Sequence, residues 1–389
     1  MNRTPIHPDT ATASPAVPTV DPTPAGPAAA STGSSTAAPA VASLPAAVRY
    51  RFLDALRGVA LCGILFVNLR DLLADRITVV DSPVQRFYDV GIQGRFVPVF
   101  AFLFGVSAWL LYSATKDRAS TASAASARLL MVRRFACLLP VGLLNLLFLF
   151  DGDILTMYSV FALVLLVPAM FLPRGLLLTV GLASTVAAYW VFGNSPMIAA
   201  TLMVTGFAAA QFGLPAWLES QSGQDHGVAF SVFGVFGLSA IGGMVFAARQ
   251  LDLLVSGAAA DTPSYDRVAG IAGLLIAVAL VSGLSLVWRT VAGRLVLDRI
   301  FTPLGRTSLT NYLGASLLVQ VGLLVLPGEL TDLRLLPVIT VGVLAVQWMC
   351  SVLWLRVFRY GPVEWVWRMA TRWERMPLRR DVTGTPAPR

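Results

Sequence analysis

At 389 residues, the chain is 56% hydrophobic and only 13% charged, with a mean hydropathy of +0.72. This excludes a soluble globular domain, in which charged residues make up about a quarter, and indicates a polytopic membrane protein. The formal charge of +8 does not indicate a nucleic-acid partner, because the arginines stand beside apolar runs, where they read as topology signals and lipid-headgroup contacts.

Cys62, Cys137 and Cys350 all fall inside apolar runs. A thiol there behaves as a small hydrophobe, so neither a disulfide framework nor a metal site is implied. Residues 1–47 are dominated by Ala, Pro, Thr and Ser. They lack the apolar surface needed to offset ordering entropy, and they are expected to be disordered. They also lack the charged region and apolar core of a secretory signal, which keeps the N-terminus on the cytoplasmic side.

A transmembrane domain is expected over 48–376 and a flexible tail over 377–389. From residue 52 onward, about ten apolar runs approach the length of about 20 residues that a spanning helix needs. They cover roughly 52–73, 96–115, 131–150, 154–172, 176–192, 196–213, 229–247, 268–288, 308–326 and 335–357. The expected fold class is therefore an all-α polytopic bundle. Arginines cluster in the loops around 116–134 and 289–306. Both clusters face the cytoplasm only if the N-terminus does, and an even helix count puts the C-terminus there too.

The first run opens with Asp54 and Arg57, three apart on one helical face and close enough to pair. Eleven residues after Arg57, Asn68 returns to nearly the same face, about 16 Å further along the axis. A helix with polar groups at both ends of an apolar middle either pins a bundle or lines a site. The third and fourth runs are joined by Asp151-Gly-Asp153, a tight-turn signal that makes an outward-facing hairpin. Asp153 stands where the fourth helix needs an N-cap, a role compatible with catalysis or binding. Asn145, just before the turn, is an amide in an apolar helix and reads as helix-helix glue.

Before the ninth run, Pro303-Leu-Gly-Arg-Thr-Ser308 offers a turn at Gly305, a cap at Thr307 or Ser308, and Arg306 beside free amide donors. A phosphate, a carboxylate or a lipid headgroup would suit that place. After the last run, Gly361-Pro362 breaks the helix, and Pro362-Val-Glu364-Trp-Val-Trp-Arg368 reads as a new helix in the interface plane. Glu364 is expected either to sit in an anchor or to reach back to an arginine of the bundle.

Five segments appear in a fixed order: Arg51–Asp71, Phe102-Leu-Phe-Gly105 after Gly94-Arg95-Phe96, Asp151-Gly-Asp-Ile-Leu155, Gly305-Arg306 with Leu309-Thr-Asn-Tyr312, and Gly361-Pro-Val-Glu-Trp365. Together they resemble the YeiB-like family of bacterial membrane proteins over roughly residues 49–375. That family carries a C-terminal domain of unknown function and is grouped with transmembrane acyltransferases. The resemblance implies a multi-spanning inner-membrane protein that moves an acyl group from a cytoplasmic acyl-coenzyme A, with no bound cofactor, to a small-molecule, glycan or lipid acceptor.

One departure bears on chemistry. Where the family typically has a histidine before the Asp-Gly-Asp turn, this chain has Asn145, and the residue eleven after Arg57 is Asn68 rather than histidine. His7 lies in the tail and His226 in a loop, so a carboxylate must act as base if acyl transfer occurs. The candidate catalytic set is Asp153 or Asp54 as base, with Asn145 or Asn68 as amide donor to the developing oxyanion. Arg57, Arg306, Asn311 and Glu364 are the candidates for holding the acyl-coenzyme A. A transporter or export component that uses the polar ends as gates is the alternative.

Overall fold

The computed structural model describes residues 49–77, 82–118, 124–193, 195–256, 262–325 and 332–380. The expected disordered tail, with His7, and residues 381–389 lie outside these. Among the described residues the chain is helical, with no strand.

The helices are α1 (Arg51–Leu72), α2 (Ser82–Arg86), α3 (Val97–Arg118), α4 (Ala124–Phe148) and α5 (Ile154–Phe161). Next come α6 (Val167–Ala169), α7 (Arg174–Phe192), α8 (Ile198–Gln211), α9 (Leu214–Glu219) and α10 (Gly223–Val255). The chain continues through α11 (Thr262–Arg289), α12 (Val291–Arg306), α13 (Ser308–Val325), α14 (Leu336–Val357) and α15 (Pro362–Arg372). Single π-turns at Phe87–Ile92 and Ala162–Leu166 link α2 towards α3 and α5 to α6.

Eight helical segments among the described residues are long and apolar enough to cross a membrane. The other two apolar runs of the sequence appear as shorter helical stretches, Ile154–Ala169 and Ile198–Gln211. The second of these, α8, is buried along most of its length, so it need not match the thickness of the lipid by itself. At the other extreme, α10 turns most of its apolar side chains outward, as a lipid-facing helix does.

Glycines set the closest helix crossings. A methyl group on Gly305 of α12 would fall 1.8 Å from the Asp54 carbonyl oxygen of α1, and one on Gly58 would fall 2.1 Å from the Phe301 carbonyl oxygen. The crossing of α3 with α8 repeats the device, with Gly105 against Met203 and Gly206 against Phe102. Small residues let backbones approach where hydrophobicity alone gives no drive for association inside lipid. Gly305 is therefore helical and forms a contact surface rather than the expected turn.

α12 itself was expected to be loop, because its arginines break any long apolar run. Read with a 3.6-residue period, it has a narrow buried face that includes Leu297, Leu304 and Gly305. Thr290 caps it, its hydroxyl accepting the Gly293 amide at 3.0 Å. α12 lies along α1 and so holds Arg306 beside the first helix.

Candidate functional site

A cavity of 610 Å³ opens among α1, α3, α4, α5, α13 and α15. Its cationic end lies where α1 and α13 begin and α14 ends. Arg49, Arg57, Arg134, Arg306, Arg359, Arg368 and Arg372 line it there, and among the described residues Asp54 and Glu364 are the carboxylates that do. The remaining wall is largely apolar, formed by Phe100, Leu103, Phe104, Phe135 and Leu138, and it reaches Ile154, Tyr158 and Tyr312.

Both acids are already engaged. Asp54 accepts from Arg49 through Nε at 2.8 Å and Nη2 at 2.6 Å, and from Arg57 through Nη1 at 3.0 Å. The pairing of Asp54 with Arg57 follows from their spacing, and Arg57 also donates to the Ser107 hydroxyl on α3.

Glu364 does not reach an arginine. Its Oε1 accepts the amides of Leu309 at 2.7 Å and Thr310 at 3.0 Å, and its Oε2 accepts from the Thr310 hydroxyl. The amides at the start of α13, expected to welcome an external anion, are thus capped by a carboxylate from α15, where the helix dipole favours negative charge. Burial pushes the Glu364 carboxyl above the usual carboxylate range, with these hydrogen bonds opposing the shift.

Several of the arginines are held in ways that leave their charge available. Arg134 stacks 3.7 Å over the Trp367 ring, whose Nε1 donates to the Arg134 carbonyl at 2.9 Å. Arg368 stacks 4.5 Å from the Tyr360 ring centre. Arg306 donates to the Arg359 carbonyl at 3.1 Å. Burial, with neighbouring arginines, pushes Arg306 down to about 10, so it stays protonated at neutral pH. Aromatic faces and carbonyls position a guanidinium without neutralising it, so this end of the cavity carries an excess of positive charge.

At the far end, Asp153 caps α5 as expected. Its Oδ2 accepts the Thr156 amide at 2.7 Å and hydroxyl at 2.8 Å. Its Oδ1 accepts Asn145 Nδ2 at 2.8 Å and the Tyr312 hydroxyl at 3.0 Å, and only 5% of the residue is exposed. Asn145 therefore spends its amide on Asp153 instead of facing the cavity. Tyr312, which sequence reasoning did not single out, borders the cavity and joins α13 to the hairpin. The signal for it was its place one turn into a helix that starts beside Arg306.

The other candidates lie apart. Asn311 donates to the hydroxyls of Thr307 and Ser351, both at 3.0 Å, and its carbonyl accepts Gln347 Nε2 at 2.7 Å, which binds α13 to α14 away from the cavity. Asn68 borders a separate narrow cleft with Phe150, Asn311 and Gln347. His226 lies in the first turn of α10, its Nδ1 within 2.7 Å of the Ser222 carbonyl, and does not line the cavity. Arg95, from the Gly94-Arg95-Phe96 segment, is fully buried and donates to the carbonyls of Val90 at 2.7 Å and Ala269 at 2.6 Å.

Residues 217–374 match a family described as a protein of unknown function (DUF418). That region supplies α10 to α15, and with them Arg306, Tyr312 and Glu364, but not α1 or the hairpin. Two bacterial relatives cover most of the chain. One is an "uncharacterized 39.9 kDa protein in amylase 3'region" of Bacillus acidopullulyticus, 29% identical over 84% of this chain and 94% of its own. The other is the "uncharacterized protein YxaH" of Bacillus subtilis, 25% identical over 85% of this chain and 96% of its own. No solved structure matches. The DUF418 match and these relatives support the YeiB-like resemblance carried by the motifs.

Proposed function

We propose that this protein is an integral acyltransferase of the bacterial cell membrane, taking an acyl group from a cytoplasmic acyl-coenzyme A and passing it to a small-molecule, glycan or lipid acceptor. The observation that carries this reading is the cavity, which joins a cluster of arginines to an apolar wall and ends at Tyr312, whose hydroxyl donates to the Asp153 carboxylate behind it. The arginine cluster and Tyr312 open onto one space, whereas Asn68, at the other end of α1, borders a separate cleft.

On this reading, Arg57 and Arg306 hold the phosphates of the coenzyme, with Arg134 and Arg368 adding positive field. The acyl chain lies along Phe100, Phe104 and Phe135. Asp153 supplies the carboxylate that acts as base, and Asn145 orients it. Glu364 holds α15 against α13 and so closes the cationic end. The cavity end with the arginines faces the cytoplasm, where both termini also lie.

One observation favours the alternative of a transporter or export component. Among the described residues no histidine lines the cavity, which leaves it without the usual neutral-pH base there. The two readings separate in one experiment: detergent-purified protein is incubated with octanoyl-coenzyme A carrying a labelled acyl chain, in the presence of bacterial membrane extract. Transfer gives free coenzyme A thiol and a labelled product in equal amounts. Saturable binding without thiol release contradicts the acyltransferase and leaves transport.

A further inference from the structure

Resting on the acyltransferase reading, we infer that Tyr312, rather than Asp153, is the side chain that meets the acceptor, with Asp153 acting through it. Tyr312 borders the cavity, whereas Asp153 does not. Asp153 is also fixed in place: four hydrogen bonds from Asn145, Thr156 and Tyr312 occupy both of its oxygens. It cannot swing towards a substrate without uncapping α5.

The tyrosine oxygen has the connections that a relay needs. Its proton is directed to Asp153 Oδ1 at 3.0 Å, and the oxygen accepts the Ile154 amide at 3.2 Å. A phenol offers one donor and two acceptor positions, so one lone pair remains after these bonds. That lone pair is available to the X–H group of an acceptor, where X is its nucleophilic oxygen or nitrogen. The Ile154 amide, at the start of α5, steadies negative charge on the phenol oxygen as it develops.

The step balances. X attacks the thioester carbonyl carbon while its proton moves to Tyr312, whose own proton moves to Asp153. A C–X bond forms, the C–S bond breaks, and the departing thiolate takes the proton back along the same path. The products are the acylated acceptor and free coenzyme A, with Tyr312 and Asp153 restored.

The test compares the wild type with Tyr312→Phe, Asp153→Asn and the double variant in the thiol-release assay, with calorimetric binding of octanoyl-coenzyme A alongside. Asparagine remains a good N-cap, so Asp153→Asn keeps α5 in place. The expected result is a fall in kcat of about 100-fold or more in each single variant, with KM and binding within about twofold of the wild type. The double variant falls no further, because the two residues act as one unit.

Tyr312→Phe within about threefold of the wild-type rate would overturn the inference while leaving the acyltransferase reading intact. Loss in Asp153→Asn alone would overturn it too, making Asp153 the direct base. A wild type that binds the thioester and releases no thiol would remove the acyltransferase reading and the relay with it. Should Tyr312→Phe fail to fold, fluorotyrosine at position 312 keeps the shape and acidifies the phenol. The relay then requires the pH profile of kcat to move to lower pH, and an unmoved profile would overturn it.

Discussion

Arg95 and the cavity arginines are both drawn from water into the bundle, yet they are held in opposite ways. Arg95 is 1% exposed and meets the carbonyls of Val90 and Ala269, which tie α11 to the π-turn before α3. It lines neither the arginine-rich cavity nor the cleft beside Asn68, and its donors go to backbone. Arg57, Arg134, Arg306 and Arg368 are half-buried along an open space, steadied by aromatic rings, carbonyls or one shared acid. Burial alone therefore does not distinguish the two kinds. What separates the two kinds is whether donor capacity is spent on backbone or left facing a cavity.

Substitutions sharpen that contrast. Arg95→Ala strips the partner from two buried carbonyls, and each lost bond costs roughly 1–3 kcal/mol. Thermal unfolding in detergent should show a loss of about 3 kcal/mol, the largest effect in the set, while the protein that remains folded binds octanoyl-coenzyme A normally. Arg306→Ala should do the reverse. Calorimetry should show binding weakened tenfold or more, about 1.4 kcal/mol, with little change in unfolding. A large stability loss at Arg306, or a binding loss at Arg95 with the fold intact, would erase the distinction.

Glu364→Gln probes the boundary between the two kinds of polar group, since its amide oxygen still accepts from Leu309 and Thr310. The expected change at neutral pH is about 1 kcal/mol or less. Because burial raises the Glu364 pKa in the folded state, the native protein binds this proton more readily than the unfolded chain does. Stability from this group is then greatest below the ordinary value of 4.5 and falls as pH rises from there through the folded pKa. Unfolding midpoints measured across that range should show this slope in the wild type and lack it in Glu364→Gln. The smallest effect belongs to Arg86→Ala. Arg86 pairs with Asp252, both side chains about half exposed, and its loss should cost less than about 0.5 kcal/mol by the same unfolding assay.

Much of the bundle was legible because membrane helices announce themselves locally. The apolar runs, the Asp54–Arg57 pair, the Asp153 cap and the new helix after Gly361-Pro362 all depend on neighbours within a turn or two. Partners distant in sequence were not legible. Glu364 caps α13 across 55 residues, and Glu219 accepts the first amides of α1, Arg51 at 3.1 Å and Phe52 at 3.3 Å, from 168 residues away. α12 was hidden because hydropathy averages over its narrow buried face, which only the periodicity reveals. Tyr312 was hidden for a different reason: a tyrosine on an apolar helix reads as core until the hairpin that meets it is in place. Asn311 and Asn68 show the converse, since polarity inside a span marked them equally with Asn145, and only packing separates glue from site.

The most direct measurement is calorimetric titration of the detergent-purified protein with octanoyl-coenzyme A, wild type beside Arg306→Ala. The account predicts saturable binding by the wild type, weakened tenfold or more by the substitution and reduced by added salt as screening grows. A folded wild type that gives no binding heat at any temperature tried, or an Arg306→Ala variant that binds as well as the wild type, would contradict it.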